Sequence, residues 1–204
     1  MPLFKKITDP DFEIAIWRIE EDLTFFEPLF ASHPDIPNKA KKMQWFATRH
    51  LINELRGQFS EVLKAESGKP FLVDSPHHIS ISHSTEFAAV MHSEKYFVGI
   101  DLEIVNPKVE NIAHKFLQPY ELAALKPQER LKKLILYWSA KESLYKLYGH
   151  RNIEFKTQLI IDPFELQTKG ELKAEILATE APIKKLKVNY EFLEGHILSY
   201  VTGR

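Results

Sequence analysis

Apolar positions recur along the chain at two periods, and the changes from one to the other outline its elements. Residues 13–18 (EIAIWR) alternate apolar and polar, as a half-buried strand does. A helix is expected over 23–30, ending before the loop that holds Pro34 and Pro37. Over 38–56, Met43, Phe46, Ala47, His50, Leu51, Glu54 and Leu55 recur at helical spacing, and Gly57 stands where a C-terminal cap belongs. Ser67-Gly68-Lys69-Pro70 predicts a turn. Three strand-like runs follow at 78–82, 87–92 and 96–104, spaced as an antiparallel group beside the helix. Asn106-Pro107 breaks the pattern and marks a boundary. Beyond it 111–116 and 119–125 look helical, and 128–148 is a long helix closed by Gly149. From 153 to 201 short strands alternate, with turns near Pro163, Gly170, Pro182 and Gly195. Each half combines helices with a run of strands, which predicts an α+β chain with domains 1–105 and 106–204.

Composition narrows the function classes. The 204 residues are 44% hydrophobic and 27% charged, which excludes a disordered or fibrous chain. Lys plus Arg number 27 against 28 Asp plus Glu, so no basic surplus points to nucleic acid or an anionic membrane. The longest uncharged stretch, 75–85, is too short to span a bilayer. Lys5 and Lys6 are followed by no apolar run, so no secretory signal is expected. Cysteine is absent, which removes disulfides, thiolate zinc sites and Cys nucleophiles. A cytoplasmic location is the expectation. The seven glycines lie too far apart for a Walker loop or a dinucleotide fingerprint. Any phosphate chemistry must therefore use cations and metal instead of a glycine-rich nest.

Two segments place carboxylates where they are costly. In 98–104 (VGIDLEI), strand geometry puts Val98, Ile100, Leu102 and Ile104 on one face and Gly99, Asp101 and Glu103 on the other. Two carboxylates on one face repel unless a cation sits between them; a solvated strand end is the alternative. In the long helix Leu131, Leu134, Ile135, Trp138 and Tyr145 form an apolar stripe, with Glu142 inside it and Lys141 and Lys146 at its flanks. A carboxylate buried there needs a cation or a proton. A Glu142–Lys146 pair on an exposed face, worth about 0.2–0.5 kcal/mol, is the alternative. Asp101, Glu103 and Glu142 together offer only oxygen, which favours Mg²⁺ or Mn²⁺ over zinc. Such a metal beside lysines is the usual equipment of pyrophosphate chemistry. The adjacent His77 and His78 are read as loop residues.

These residues resemble the 4′-phosphopantetheinyl transferase superfamily, and its two-lobed Sfp-type branch in particular. The signatures of that family are a G-x-D-x-E strand and a W-x-x-K-E-x-x-x-K helix. They stand here at 99–103 (GIDLE) and 138–146 (WSAKESLYK), with 35 positions from Glu103 to Trp138. Gly68-Lys69-Pro70 is similar to the family's G-K-P turn, and 79–84 (ISISHS) to its S-H-S segment. Arg49 lies in a helix resembling its R-x-x-L stretch. Residues 116–121 (FLQPYE) resemble its F-F-S-x-x-E element, with Leu117 and Gln118 in place of Phe and Ser. The resemblance covers about residues 40–150.

What the resemblance implies is a pseudo-dimer of two similar α+β lobes with coenzyme A in the cleft between them. The phosphopantetheine arm of coenzyme A would pass to a serine of an apo-carrier protein (acyl, polyketide or peptidyl), releasing 3′,5′-ADP. Asp101, Glu103 and Glu142 would hold Mg²⁺, or Mn²⁺, and Lys146 would reach the same phosphates. Arg49, Lys69 and His83 would hold the 3′-phosphate and nucleotide end, and Glu121 would be the base for the serine. The two-lobed branch implies a monomer. Lys126, Arg130, Lys132 and Lys133 form either a basic patch for the carrier or a solvated helix face. Trp138 is expected to be core packing in any case. A metal-dependent phosphohydrolase and a non-catalytic coenzyme A or carrier-binding protein are the alternatives.

Overall fold

Both long helices predicted from the periodicity are present, each stopped by the glycine that follows it. The computed structural model describes residues 3–178 and 184–204. The first compact unit is Met1–Phe97 and the second Val98–Arg204.

The first unit opens with a hairpin, β1 (Leu3–Asp9) and β2 (Phe12–Arg18). A short helix α1 (Leu23–Phe26) starts on Asp22, whose side chain accepts from the Thr24 N–H, and runs into a 3-10 turn at Glu27–Leu29. The expected helix over 23–30 is therefore two short pieces, divided where Pro28 enters. Helix α2 (Lys39–Arg56) is N-capped by Asn38, whose side chain accepts from the Lys41 N–H. It ends on Gly57 at φ +64°, a left-handed conformation that glycine adopts without a Cβ penalty. A two-stranded hairpin, β3 (Val62–Lys64) and β4 (Pro70–Leu72), closes through the predicted turn. Then come β5 (His78–His83) and β6 (Phe87–Ser93). The main sheet runs β1-β2-β6-β5, antiparallel throughout. Its core gathers Trp17 and Val90 from the strands with Phe26, Phe46 and Leu51 from the helices.

The second unit takes all of β7 (Phe97–Ile104) except its first residue. A 3-10 segment at Pro107–Ile112 leads into α3 (Ala113–Phe116) and α4 (Pro119–Ala123), followed by α5 (Arg130–Tyr148), which ends on Gly149 at φ +72°. Four strands complete it: β8 (Leu159–Ile161), β9 (Lys169–Ile176), β10 (Lys184–Leu193) and β11 (His196–Gly203). Their sheet has the order β7-β11-β10-β9-β8. Helix α5 packs on it and closes a core that includes Leu136, Ala140 and Leu144 with Leu172, Val188 and Ile197.

Three expectations are corrected. The runs at 78–104 do not form one group: β5 and β6 pair in the first sheet, whereas β7 lies beside β11 in the second. That exchange moves the division to Phe97/Val98, eight residues before the boundary expected at 105/106. Gly170 lies inside β9, opposite Tyr190, and is not a turn; Gly195 is one, at φ +77°. Pro182 lies outside the described residues. Among the described residues, no helix is long and apolar enough to cross a membrane.

Candidate active site

The site begins with a close approach of backbone to backbone. Gly99 in β7 faces α5, and a Cβ there would collide with the Ser143 carbonyl oxygen and lie 2.8 Å from the Leu147 nitrogen. Only glycine lets the strand run this near the helix. The approach covers the polar face of β7, so Asp101 is only 2% exposed and the solvated strand end is excluded. On the other face Val98, Ile100 and Leu102 are buried as expected, but Ile104 is 42% exposed. On α5, Lys146 donates from Nζ to Asp101 Oδ1 at 2.8 Å, an ion pair joining helix to strand.

Glu103, one pleat further along, receives the indole N–H of Trp138 at Oε1, 3.2 Å away. The half-buried Trp138 ring packs against the core of the second unit, as expected, and its N–H makes it a polar partner as well. Burial first, and then the negative charge of Asp101, push the Glu103 carboxyl up to about 7, against the opposing pull of the Trp138 hydrogen bond and Lys146. Glu142 is also pushed up to about 7, by burial and then by Asp101 and, more weakly, Glu103, while Lys146 pulls it down. The three carboxylates therefore belong to one electrostatic cluster. The helix stripe that singled out Glu142 is only partly the buried face: α5 also buries Leu136, Ser139, Ala140, Lys141 and Ser143, whereas Leu131, Trp138 and Tyr145 are half-buried.

Among the described residues, no group of three or more His, Cys, Asp or Glu side chains is arranged to hold a metal ion. The chemistry of the donor set nonetheless fits one. Glu103 and Glu142, whose proton affinity is raised by burial and by the charge of Asp101, are stabilised by a dication, and an all-oxygen set suits Mg²⁺.

Glu121 is buried, at 3% exposure, in the first turn of α4. Its Oε2 accepts from the Gln118 N–H at 2.6 Å, the reciprocal arm of a capping box. The same oxygen lies 3.9 Å from Nζ of Lys141. Its Oε1 is buried with no hydrogen-bond partner among the described residues. Burial raises the Glu121 carboxyl, while the Gln118 bond and Lys141 lower it. Lys141 is fully buried and donates to the carbonyls of Phe116, at 2.5 Å, and Phe155, at 3.0 Å. Burial lowers its ammonium to about 8. The pattern around Glu142 had flagged Lys141 only as a flanking charge; nothing in the sequence shows that two distant carbonyls converge on it.

The three cations expected at the nucleotide all lie in the first unit. Arg49, on α2, stacks its guanidinium 5.2 Å over Trp45 and is half-buried, with burial lowering it to about 10. Lys69 sits in the β3–β4 turn, 5.1 Å over the Phe97 ring. His83 is exposed at the end of β5. The basic patch is corrected: Lys133 is buried, donating to the Phe164 carbonyl at 3.2 Å and pairing with Glu129 at 3.2 Å, and Arg130 pairs with Glu110 at 3.5 Å. His78 opens β5 and is not in a loop; His77 lies in the loop before it, as expected, and meets His92 with 3.1 Å between ring nitrogens.

The strand and the helix that carry this arrangement lie within residues 97–201, which match the family model of the 4′-phosphopantetheinyl transferase superfamily. The chain belongs to that family. It is 27% identical over 119 residues to the 4′-phosphopantetheinyl transferase AcpT of Escherichia coli (strain K12), covering 55% of this chain and 61% of that protein. The AcpT of Salmonella typhimurium matches at 27% over 119 residues, 55% of this chain and 62% of the relative. A 4′-phosphopantetheinyl transferase of Bacillus subtilis is 32% identical over 110 residues, 52% of this chain and 46% of the relative. The chain thus spans less than two thirds of the length of these relatives.

Proposed function

We propose that this chain transfers the 4′-phosphopantetheine arm of coenzyme A to a serine of an apo-carrier protein and releases 3′,5′-ADP. The observation that carries the proposal is the meeting of Asp101, Glu103, Glu142 and Lys146 across β7 and α5. In this reading Asp101, Glu103 and Glu142 hold Mg²⁺, which supplies neutralisation of charge on the pyrophosphate. Lys146, now paired with Asp101, meets the phosphate oxygens as a point charge. The serine oxygen forms a bond to the phosphorus attached to the pantetheine, and the bond from that phosphorus to the bridging oxygen breaks. Arg49, Lys69 and His83 hold the 3′-phosphate and nucleotide, each charge-assisted contact contributing about 1.5–3 kcal/mol. Two similar lobes with coenzyme A between them, the Sfp-type branch, a monomer and a cytoplasmic location belong to the same reading.

Glu121 enters as the base that takes the serine proton, a role worth on the order of 10²–10⁴ in rate. Its cap bond and its place beside Lys141 favour a second assignment, in which it only starts α4 and balances a buried ammonium. Glu121→Gln separates them. A base requires at least a tenfold loss of maximal rate with coenzyme A affinity little changed and the acidic limb of the pH–rate profile gone. A cap requires near-normal turnover with lowered stability.

The decisive experiment incubates the protein with coenzyme A, Mg²⁺ and a panel of apo-carrier proteins and reads intact mass. Modification of a carrier by one phosphopantetheine is expected, and its loss in Asp101→Ala, Glu142→Gln or excess chelator. Coenzyme A cleaved to free products with unmodified carriers indicates a phosphohydrolase, and binding without turnover a non-catalytic protein.

A further inference from the structure

We infer that Trp138 is a positioning residue for Glu103, and that a buried lysine one turn further along the same helix, Lys141, holds in place the rings that confine the indole. The inference rests on the metal site proposed above. An indole N–H can only donate, and a bond to a carboxylate is charge-assisted, so it fixes one oxygen and leaves the other to a cation. Trp138 Nε1 makes that bond to Glu103 Oε1 at 3.2 Å. A flat ring aims its N–H only if it cannot rotate, and two phenylalanines see to this. Phe155 stacks on Trp138 at 5.6 Å between centroids with 27° between planes, and Phe116 meets it at 5.2 Å, tilted by 55°.

Neither phenylalanine is fixed by regular structure alone. Phe116 is the last residue of α3, and Phe155 lies in the turn before β8. Both are fastened by backbone to the same atom: Lys141 Nζ bonds the Phe116 and Phe155 carbonyls at 2.5 and 3.0 Å. Lys141 and Trp138 are three residues apart on α5, so one face of the helix presents the indole and the next turn anchors the rings that confine it. The signature W-x-x-K-E thereby reads as a unit. Its Glu supplies a ligand, its Trp aims a second ligand on the neighbouring strand, and its Lys holds the aromatic frame.

Removing an outer partner of a metal ligand typically weakens metal affinity about ten- to hundredfold. The test is Mn²⁺ uptake by metal-free protein, followed by the electron paramagnetic resonance of free Mn²⁺, with no coenzyme A or carrier present. Trp138→Phe keeps the ring and removes the donor. About a ten- to hundredfold weaker affinity is expected. Added to Glu103→Gln, the same substitution should cost little more, because the shared partner is already altered. In ¹⁵N-labelled protein the indole N–H resonance that disappears in Trp138→Phe should move in Glu103→Gln, a readout independent of metal and of that variant's stability. Mn²⁺ affinity unchanged in a folded Trp138→Phe, or a resonance that Glu103→Gln leaves in place, overturns the inference. Wild-type protein that takes up no Mn²⁺ overturns the metal reading itself and the inference with it.

Discussion

Helices α2 and α5 are nearly equal in length, 18 and 19 residues, and each ends on a left-handed glycine and packs on its unit's sheet. They differ in how many sides are buried. Helix α2 buries Met43, Phe46, Ala47, Thr48, Leu51 and Ile52 and leaves Lys39, Lys41 and Glu54 exposed, a single apolar face. Helix α5 buries residues over most of its circumference, among them Lys133, Ser139, Lys141 and Ser143, and leaves the side of Leu131, Trp138, Glu142 and Tyr145 half-buried. In a helix with one buried face, polar residues go to water and stability follows from apolar contact. Where most sides are covered, each buried polar side chain must find a specific partner, and each such partner fixes the place of another element. Ser139 meets Ser199 at 2.9 Å, and Lys141 and Lys146 reach α3, α4 and β7. The second helix therefore positions chemistry as well as filling volume.

The contrast is sharpest for the lysines. Lys141→Met leaves Glu121 and two carbonyls without their cation, so a loss of about 3–5 kcal/mol is expected in chemical denaturation. The loss should shrink at acidic pH, where Glu121, raised by burial, takes up a proton. Lys42→Met on α2, which removes a surface pair with Glu27 of the 3-10 turn, should cost no more than about 1 kcal/mol. Equal losses would show that α5 is no more interlocked than α2.

The glycines come next. Gly99→Ala drives a methyl into the α5 backbone and should destabilise the second unit by about 3 kcal/mol, the upper end for overpacking. Gly57→Ala has open space around it and meets only the left-handed φ of +64°, a cost of about 1 kcal/mol. Thermal melts of the two variants decide whether α5 or α2 is the less tolerant.

The comparison also carries a pH dependence. Glu103 and Glu142 have folded values near 7, above the 4.5 of an exposed carboxyl. Between those values the folded state holds more protons than the unfolded one. The stability these groups contribute is thus full below about pH 4.5 and lost as pH rises through 7. In metal-free buffer Glu142→Gln should flatten the fall in Tm across this window relative to wild type. Added Mg²⁺ should raise the wild-type Tm at pH 8 more than at pH 5. Parallel Tm curves for the two proteins would mean that Glu142 stays ionised throughout.

How much was legible in the sequence follows the same division. The C-terminal cap of α2, the turn at Ser67–Pro70 and the alternation in β7 are local, and they were readable because each depends on neighbours within a few residues. The partner of β7 was not, since sheet order places it beside a strand almost a hundred residues later. Asp101 and Glu142 stood out because a carboxylate among apolar residues is costly wherever it lands. The roles of Trp138 and Lys141 did not, because an aromatic ring and a flanking lysine suit a helix equally well when they do nothing further. Their roles depend on where Glu103, Phe116 and Phe155 arrive in space.

The place of β7 beside β11 also bears on the order in which the molecule is made. All four strands of the first main sheet lie within residues 3–93, so it can form as soon as that stretch has been synthesised. The second sheet cannot close then. Strand β7 has left the ribosome but must wait, both edges unpaired, for residues 196–203, the pairing with the largest sequence separation in this sheet. Through that interval Asp101 and Glu103 are carried on a strand without its eventual neighbour, and aggregation through the waiting edge is the hazard specific to this topology.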